Sequence, residues 1–574
     1  MVTTGRLRNP QNFGEFGQAR AIRKAMALQY GRDVETQAIR SSIGLEQGTG
    51  MSAEATIETV ASVARTAGNY DQLPYESRAF AQSQPSRLGA IARVFGLDAA
   101  PLGTARVLEL GCASGGNLIP HAALYPDARF VGIDLSPAQI EAGCGRIARL
   151  GLSNIELRCR NLAEIGDELG SFDYIICHGV YSWVPAAVRD AIFPIIRARL
   201  SSVGVACVSY NVLPGWRMRQ PLHDAFMLDV PDNGDLPGRV ARARELLDFL
   251  AAATPDQGPY GDTLRSRAAL MATQPDDYVA HEFLEEANHP STVRAFATQA
   301  ARDGLGFLGE CELVFSIPEY YGPEVARQVR ARAKDDRLET EQYLDLLTGR
   351  TFRQTILVSS ERLATASRAI APESIAPLHF LADAGMRLDW DGAEHIVTDA
   401  AGRALSTGFA AAEGIAWLIA GFPSSSSLDE CARAITGDQE AGRAHLLDAL
   451  HRMVLAGMVT LSSEPVRAGR GDVAKPRAIA LARADAADGA QATTNLRHEP
   501  VALNAAACAL LPVMDGNRDR AALAKRLEEA VLAGRVAFAL DGNPVTDPDA
   551  IRDIAAQGLP ALLAGLANAG LLER

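Results

Sequence analysis

No run of about 18 apolar residues occurs in this chain of 574 residues, so a membrane-spanning helix is excluded. The N-terminus lacks an apolar segment of secretory type. None of the eight cysteines forms a C-x-x-C pair, which points to buried, reduced thiols in a cytoplasmic protein. An excess of basic charge is also missing. The net charge of −13 opposes a polyanionic partner and makes nucleic acid a poor candidate substrate. Hydrophobic content of 48% with 22% charged residues is that of a soluble, globular chain, too long for one core and sized for two to four domains.

What is present concentrates in Arg106-Val107-Leu108-Glu109-Leu110-Gly111-Cys112-Ala113-Ser114-Gly115-Gly116-Asn117, followed by Phe130-Val131-Gly132-Ile133-Asp134. A short apolar strand enters a glycine-rich turn and a helix, and a second strand ends in a carboxylate. Glu109 and Asp134 lie one strand–helix–strand unit apart. That unit places a nucleoside at the open end of a parallel sheet, with Asp134 accepting from both ribose hydroxyls. The glycines are not spaced as G-x-G-x-x-G, and a carboxylate at Glu109 would repel a diphosphate. It suits an ammonium group instead. S-adenosylmethionine (AdoMet) has an ammonium, a sulfonium and a ribose, and no phosphate. The pattern E-L-G-C-A-S-G-G-N resembles the first motif of the class I methyltransferases. The candidate cofactor residues here are Glu109, Gly111, Gly115, Gly116, Asn117, Asp134 and Leu135. The alternative is an ordinary α/β turn that meets an acid by chance.

Residues 1–50 are polar and unlike the rest of the chain, and are expected to be an unpacked extension ahead of a natural start at Met51. From 106 onward strands (106–110, 129–133, 154–158, 172–177, 205–210) alternate with helices (117–125, 137–150, 186–199), the pattern of an α/β, doubly wound, Rossmann-like sheet. Ser136 is expected to cap the second helix, with Pro137 at its first position. Residues 212–295 are mostly helical and read as an insertion over the open end of the sheet, a lid or dimerisation element. Segments 305–315 and 351–358 are expected to close the sheet as its last two strands, completing a methyltransferase domain over 51–360. A regulatory or middle domain is expected over 361–465, an Ala/Arg/Gly-rich linker over 466–493, and a winged-helix-like domain over 494–574. The middle and last domains carry a weak repeat, with helices at 411–421, 428–435 and 443–456 and again at 502–512, 519–531 and 558–569.

Acceptor-side chemistry in such a sheet follows the fourth strand, here Phe172 to Pro185. The (Asn/Asp)-Pro-Pro-Tyr of amide and base-amine methylation is absent, and so is the Pro-Cys of pyrimidine-carbon methylation. What stands there is His178-Gly179-Val180-Tyr181-Ser182-Trp183. His178 is a candidate hydrogen-bonding group or proton acceptor. Tyr181 and Trp183 are candidates to flank an amine, or else pack beneath the next helix. Upstream, hydroxyls of Tyr70, Tyr75 and Ser77 suit the methionyl carboxylate, the alternative being a simple N-terminal cap. Asn161 and Leu162 would reach the adenine edge. His281-Glu282-Phe283-Leu284-Glu285 lacks the second histidine of a zinc-protease helix, so no metal is expected.

Four segments together, Y-D-Q-L-P-Y-E-S, L-E-L-G-C-A-S-G-G-N, F-D-Y-I-I-C-H-G-V-Y-S-W-V-P and S-Y-N-V-L-P-G-W, resemble a bacterial family of class I methyltransferases. Its members carry a methyltransferase regulatory domain and include the rickettsial protein lysine methyltransferases that modify outer-membrane protein. H-E-F-L-E-E-A-N-H-P (281–290) and R-T-F-R-Q-T-I-L (350–357) resemble the regulatory part. The resemblance implies AdoMet as cofactor, helical accessory domains, a possible homodimer and a protein substrate methylated on lysine. Small-molecule or saccharide methylation is the alternative acceptor class, and an AdoMet-binding scaffold or sensor the alternative function.

Overall fold

The computed structural model describes Gly68 and residues 71–73, 77–230, 235–255, 258–285, 287–436, 438–540 and 543–574. The expected extension over 1–50, and Tyr70 and Tyr75, lie outside the described residues.

Apolar runs without polar alternation make the inner strands, as a sheet covered on both faces requires. Strands β1 (Arg106–Leu110), β2 (Arg129–Asp134), β3 (Ile155–Cys159), β4 (Phe172–Cys177), β5 (Leu200–Asn211), β6 (Leu305–Glu310) and β7 (Phe352–Ser359) form one sheet of order 3-2-1-4-5-7-6. β1 to β5 are parallel, and β7 runs antiparallel to both β5 and β6. The strand order reverses between β1 and β4, which opens a crevice at their carboxyl ends. Helices α1 (Pro85–Val94), α2 (Ile119–Leu124), α3 (Pro137–Leu150) and α4 (Ala186–Arg199) accompany the parallel part. Ser136 caps α3 as expected: its Oγ accepts from the Gln139 N–H at 3.2 Å, with Pro137 next.

Between β5 and β6, α5 (Gln220–Asp229), α6 (Leu236–Ala253), α7 (Pro259–Ala272) and α8 (Asp276–Phe283) bury Leu222, Phe226, Val240, Leu247, Leu264 and Phe283 in a core of their own. The insertion is rooted at the carboxyl ends of β4 and β5. There Val212 bridges Ser291, and the His289 N–H donates to the Ser182 carbonyl at 2.8 Å. Helix α9 (Val293–Arg302) then leads into β6. The strand expected over 305–315 stops at Glu310, because the chain turns through 3-10 segments at Leu313–Ser316 and Pro318–Tyr321 before α10 (Pro323–Ala333) and α11 (Arg337–Thr348).

The middle region places β8 (His379–Leu381) after β7, then β9 (Arg387–Trp390), β10 (His395–Thr398), β11 (Ala404–Thr407), α12 (Phe409–Ala420), β12 (Ser426–Ser427), α13 (Leu428–Ala432), α14 (Gln439–Leu455) and β13 (Thr460–Ser462). Its core is continuous with that of the sheet. Leu88 and Val94 of α1 lie in the same cluster as Phe380, Leu446 and Met453. Residues 361–465 are therefore not separated from the sheet domain by a break in packing.

The expected linker 466–493 is not a linker. It contains α15 (Ala480–Ala487), and Ala468 and Ala478 bridge to Glu573 and Leu572. Small alanine side chains let α15 lie close to its neighbours, and that composition had looked like loop. Strands β14 (Ala492–Thr494) and β15 (Pro500–Ala502) and helices α16 (Ala505–Leu510), α17 (Arg520–Leu532) and α18 (Pro548–Asn568) complete a separate core around Leu510, Leu523, Leu559 and Leu572. Helix α18 starts at Pro548 rather than 558, because Asp547 caps it on the Ala550 N–H at 2.9 Å and it continues through Pro560. Among the described residues no helix is long and apolar enough to cross a membrane.

One buried charge cluster ties the sheet edge to α11. The fully buried Arg353 of β7 donates to Glu310 (2.7 Å), Glu341 (2.9 Å) and Asp345 (2.7 Å), and burial pushes the Asp345 carboxyl up to about 6. Removing the guanidinium would leave three buried acids with only Arg350, 3.2 Å from Asp345, to offset them. Arg353→Met is expected to destabilise the protein by about 3–5 kcal/mol, seen as a lower denaturation midpoint. An unchanged midpoint would show that the acids satisfy one another.

Candidate active site

The β1 strand delivers Glu109 into the crevice with its side chain buried. Its Oε1 accepts from Asn117 Nδ2 at 2.8 Å, and its Oε2 is buried without a partner. Burial, assisted by the nearby Asp134 charge, raises its carboxyl to about 8 against the Asn117 hydrogen bond. An orphaned oxygen on a buried carboxyl group is costly, and an arriving ammonium would satisfy it in the ionised form.

The turn itself needs its glycines. Gly111 has φ +78°, and a Cβ there would lie 2.2 Å from Val180 Cγ2. At Gly116 a Cβ would meet the Ser77 carbonyl oxygen at 2.2 Å, while the Gly116 N–H donates to Ser77 Oγ at 2.8 Å. Gly115, with φ +75°, completes the bend. The segment before α1 thus lies directly on the glycine turn, which keeps Ser77 beside the expected amino-acid end of a cofactor. Its other described end reaches the start of α3, where the Ser136 hydroxyl donates to Asp71 Oδ1 at 2.5 Å.

Asp134 ends β2 with its carboxylate held by the N–H groups of Ala113 (2.7 Å) and Ser136 (2.9 Å). Burial raises its pKa, against those hydrogen bonds. Each carboxylate oxygen keeps acceptor capacity for a ribose hydroxyl. Beyond it Leu135 is half-buried and Leu162 buried, while Asn161 uses its Oδ1 to cap the Ala163 N–H at 3.1 Å. Glu109 and Asp134 thus carry acceptor capacity that fits the ammonium and the ribose of AdoMet.

His178 follows β4, half-buried. Its ring lies 3.9 Å from that of Phe80 and 5.9 Å, edge-on, from that of Phe352, and Gln354 Nε2 is 3.4 Å from its Nδ1. Burial, with the Arg78 charge, lowers its pKa to about 4, so the ring is neutral near pH 7. Phe80 belongs to the cofactor side, since its N–H donates to Asn117 Oδ1 at 3.0 Å. Phe352 and Gln354 line a cavity of about 440 Å³ with Glu312, Phe315 and Tyr321. His178 stands between the two.

Two expected acceptor residues are not there. Tyr181 is a core residue, only 2% exposed, enclosed by Phe193, Tyr210 and Phe296, and its hydroxyl donates to Gln299 at 2.7 Å. Trp183 packs edge-on against Trp216 at 5.7 Å, at the root of the insertion. Val180 still packs on the glycine turn at Gly111, and only from Tyr181 onward does the chain turn into the core, so adjacency in sequence misled. Phe80, Phe352 and Gln354 were missed because they come from distant segments, although 350–357 had stood out as a motif. His281 bonds the Leu73 carbonyl at 2.7 Å and lies 3.3 Å from Glu285. Among the described residues no cluster of three metal-ligating groups occurs.

A sheet of this order, with a buried acid at β1, a glycine turn and a second acid at β2, defines a class I AdoMet-dependent methyltransferase. Comparison with known proteins agrees. Family models match a methyltransferase domain over 107–204, a predicted methyltransferase regulatory domain over 275–359, and the PKMT C-terminal winged helix domain over 474–571. The uncharacterized protein RP789 of Rickettsia prowazekii is 31% identical over 523 residues, spanning 87% of this chain and 93% of that one. The structure of PKMT2 from Rickettsia typhi is 26% identical, with a TM-score of 0.77 over 87% of this chain and 100% of that one; it is also solved in complex with AdoHcy. The chain belongs to this family of AdoMet-dependent methyltransferases with a regulatory domain and a PKMT-type winged helix. The regulatory match covers the end of the insertion through β7 rather than 361–465.

Two outcomes are expected at the cofactor site. Asp134→Ala should weaken AdoMet binding at least about tenfold by calorimetry, the worth of one hydrogen bond to a charged group; unchanged affinity would remove the ribose assignment. Glu109 is largely protonated at pH 7, so an ammonium that needs the ionised form must displace its proton. Binding at pH 7 should release up to about one proton, read as a buffer-dependent heat and lost in Glu109→Gln. Affinity should rise as pH increases from 7 towards 8.

Proposed function

We propose that the methyl acceptor is the side-chain amine of a protein lysine. The observation that carries this is the cavity beside His178. The rings of Phe352 and Tyr321 suit a methylene chain, and the Phe352 face an ammonium head, at about 0.5–2 kcal/mol, while the Phe315 face is already covered by the Arg350 guanidinium 5.6 Å away. Glu312, held through Oε2 by Arg87 at 2.7 Å, puts a carboxylate on the same wall. The similarity to PKMT2 supports the same acceptor class.

AdoMet supplies an electrophilic methyl group on a sulfonium. The lysine must attack as a neutral amine, in line with that group. His178, with a pKa of about 4, is too weak a base to take the proton of an amine whose ordinary pKa is about 10.4. Loss of water around the ammonium inside the cavity favours the neutral form instead. His178 then serves to orient the acceptor, with Phe80 fixing one face of its ring and Phe352 an edge.

Incubation with labelled AdoMet and a bacterial lysate, followed by separation of protein from metabolites, tests the acceptor class. Label on protein lysine is the expected result. Label only in small molecules would replace the proposal with the metabolite alternative, and AdoMet binding without transfer would favour a sensor. Phe352→Ala should lower kcat/KM for the protein acceptor at least about tenfold, a loss on the scale of a desolvated cation–π contact, and leave AdoHcy affinity unchanged. Equal transfer by the variant would place the acceptor elsewhere.

A further inference from the structure

The amide of Asn117 has all four hydrogen-bonding positions filled. Nδ2 donates to Glu109 Oε1 (2.8 Å) and Ser83 Oγ (3.2 Å), and Oδ1 accepts from the Phe80 N–H (3.0 Å). The fourth partner comes from the far end of the chain. His498 Nε2 lies 2.8 Å from Asn117 Oδ1. An amide oxygen can only accept, so His498 carries its proton on Nε2.

The approach of His498 is built, not incidental. The residue sits at the tip of the β14–β15 hairpin, completely buried, with φ +61°, a left-handed backbone that a non-glycine residue rarely adopts. Asn495 shapes the tip by accepting from the N–H groups of Arg497 (2.8 Å) and Glu499 (2.9 Å). Arg497 pins the tip to the middle region through the Ala382 carbonyl at 2.9 Å. The His498 ring stacks on His121 of α2, with centroids 3.8 Å apart and planes at 17°. Burial keeps both rings neutral, and at His498 the neighbouring imidazole of His121 adds to it. Below the tip, Arg146 of α3 grips Asp485 of α15 with Nη2 2.8 Å from both carboxylate oxygens, and Asp485 also accepts from Thr493 of β14 at 2.7 Å.

We propose that His498 is a positioning residue for cofactor binding: by donating to Asn117 it fixes the amide that holds Glu109 Oε1, and so leaves Oε2 aimed at the AdoMet ammonium. The winged-helix domain is then a working part of the cofactor site rather than only a module for an outside partner. This rests on the assignment of Glu109 to the ammonium, and the test separates the two.

Calorimetry on the full chain would compare AdoHcy with 5′-methylthioadenosine, which keeps the nucleoside and lacks the amino-acid arm. His498→Phe retains the stacked ring and removes the donor. His498→Asn retains a side chain suited to the left-handed backbone and is too short to reach Asn117. In both, AdoHcy affinity is expected to fall at least tenfold while 5′-methylthioadenosine stays within twofold. AdoHcy affinity equal to that of the parent protein in either folded variant would overturn the proposal. Equal loss of both ligands would overturn it too, since it would mean that the tip only supports the fold. Glu109→Gln is the control for the underlying assignment: if AdoHcy affinity survives that change, the ammonium reading fails, whereas a loss there with none in the His498 variants sinks only the role of His498.

Discussion

A buried carboxyl group with one oxygen left unpaired organises this molecule. Glu109 sits at the end of an inner strand, where water is excluded and an unsatisfied acceptor is costly. Nothing within the described protein answers that oxygen, and the arrangement makes sense around a cationic ligand. The neighbours conform to it. Asn117 holds the other oxygen, the glycine turn keeps side chains out of the space, and the segment at Ser77 closes against Gly116.

The site is assembled across most of the chain's length. Asp71 and Ser77 come from before the first sheet strand, Gln354 and Phe352 from its antiparallel strand, and His498 from the last domain. Such a site couples cofactor binding to the docking of domains that never touch the reacting atoms. The acidic grip of Asp485 on Arg146 and the stacked pair His121–His498 carry that docking at the far wall. The insertion does the same at the near wall, where Leu73 meets His281 and Ser182 meets His289.

Legibility in the sequence followed the range of the interactions. Most strand and helix limits of the sheet were readable to within two residues, because Ser136-Pro137 caps a helix locally and apolar runs report burial directly, but β5 starts at Leu200 rather than 205 and β6 stops at Glu310 rather than 315. Glu109 and Asp134 were readable for the same reason: each ends a strand whose neighbours declare it. The alanine-rich stretch at 480–487 was misread as linker, since alanine carries little signal of its own and packs only where a partner surface exists. Tyr181 and Trp183 were misplaced because position after a strand does not say which way the chain turns.

The sequence by itself determined the strand–turn–helix unit, its acids and the class of ligand they suit, since those depend on residues within one local fold. Only the tertiary structure decided which aromatics meet His178, which oxygen of Glu109 stays free, and that a histidine almost four hundred residues away in the chain steadies Asn117. Contacts between distant segments are set by how whole layers pack, and no short stretch of sequence holds that information.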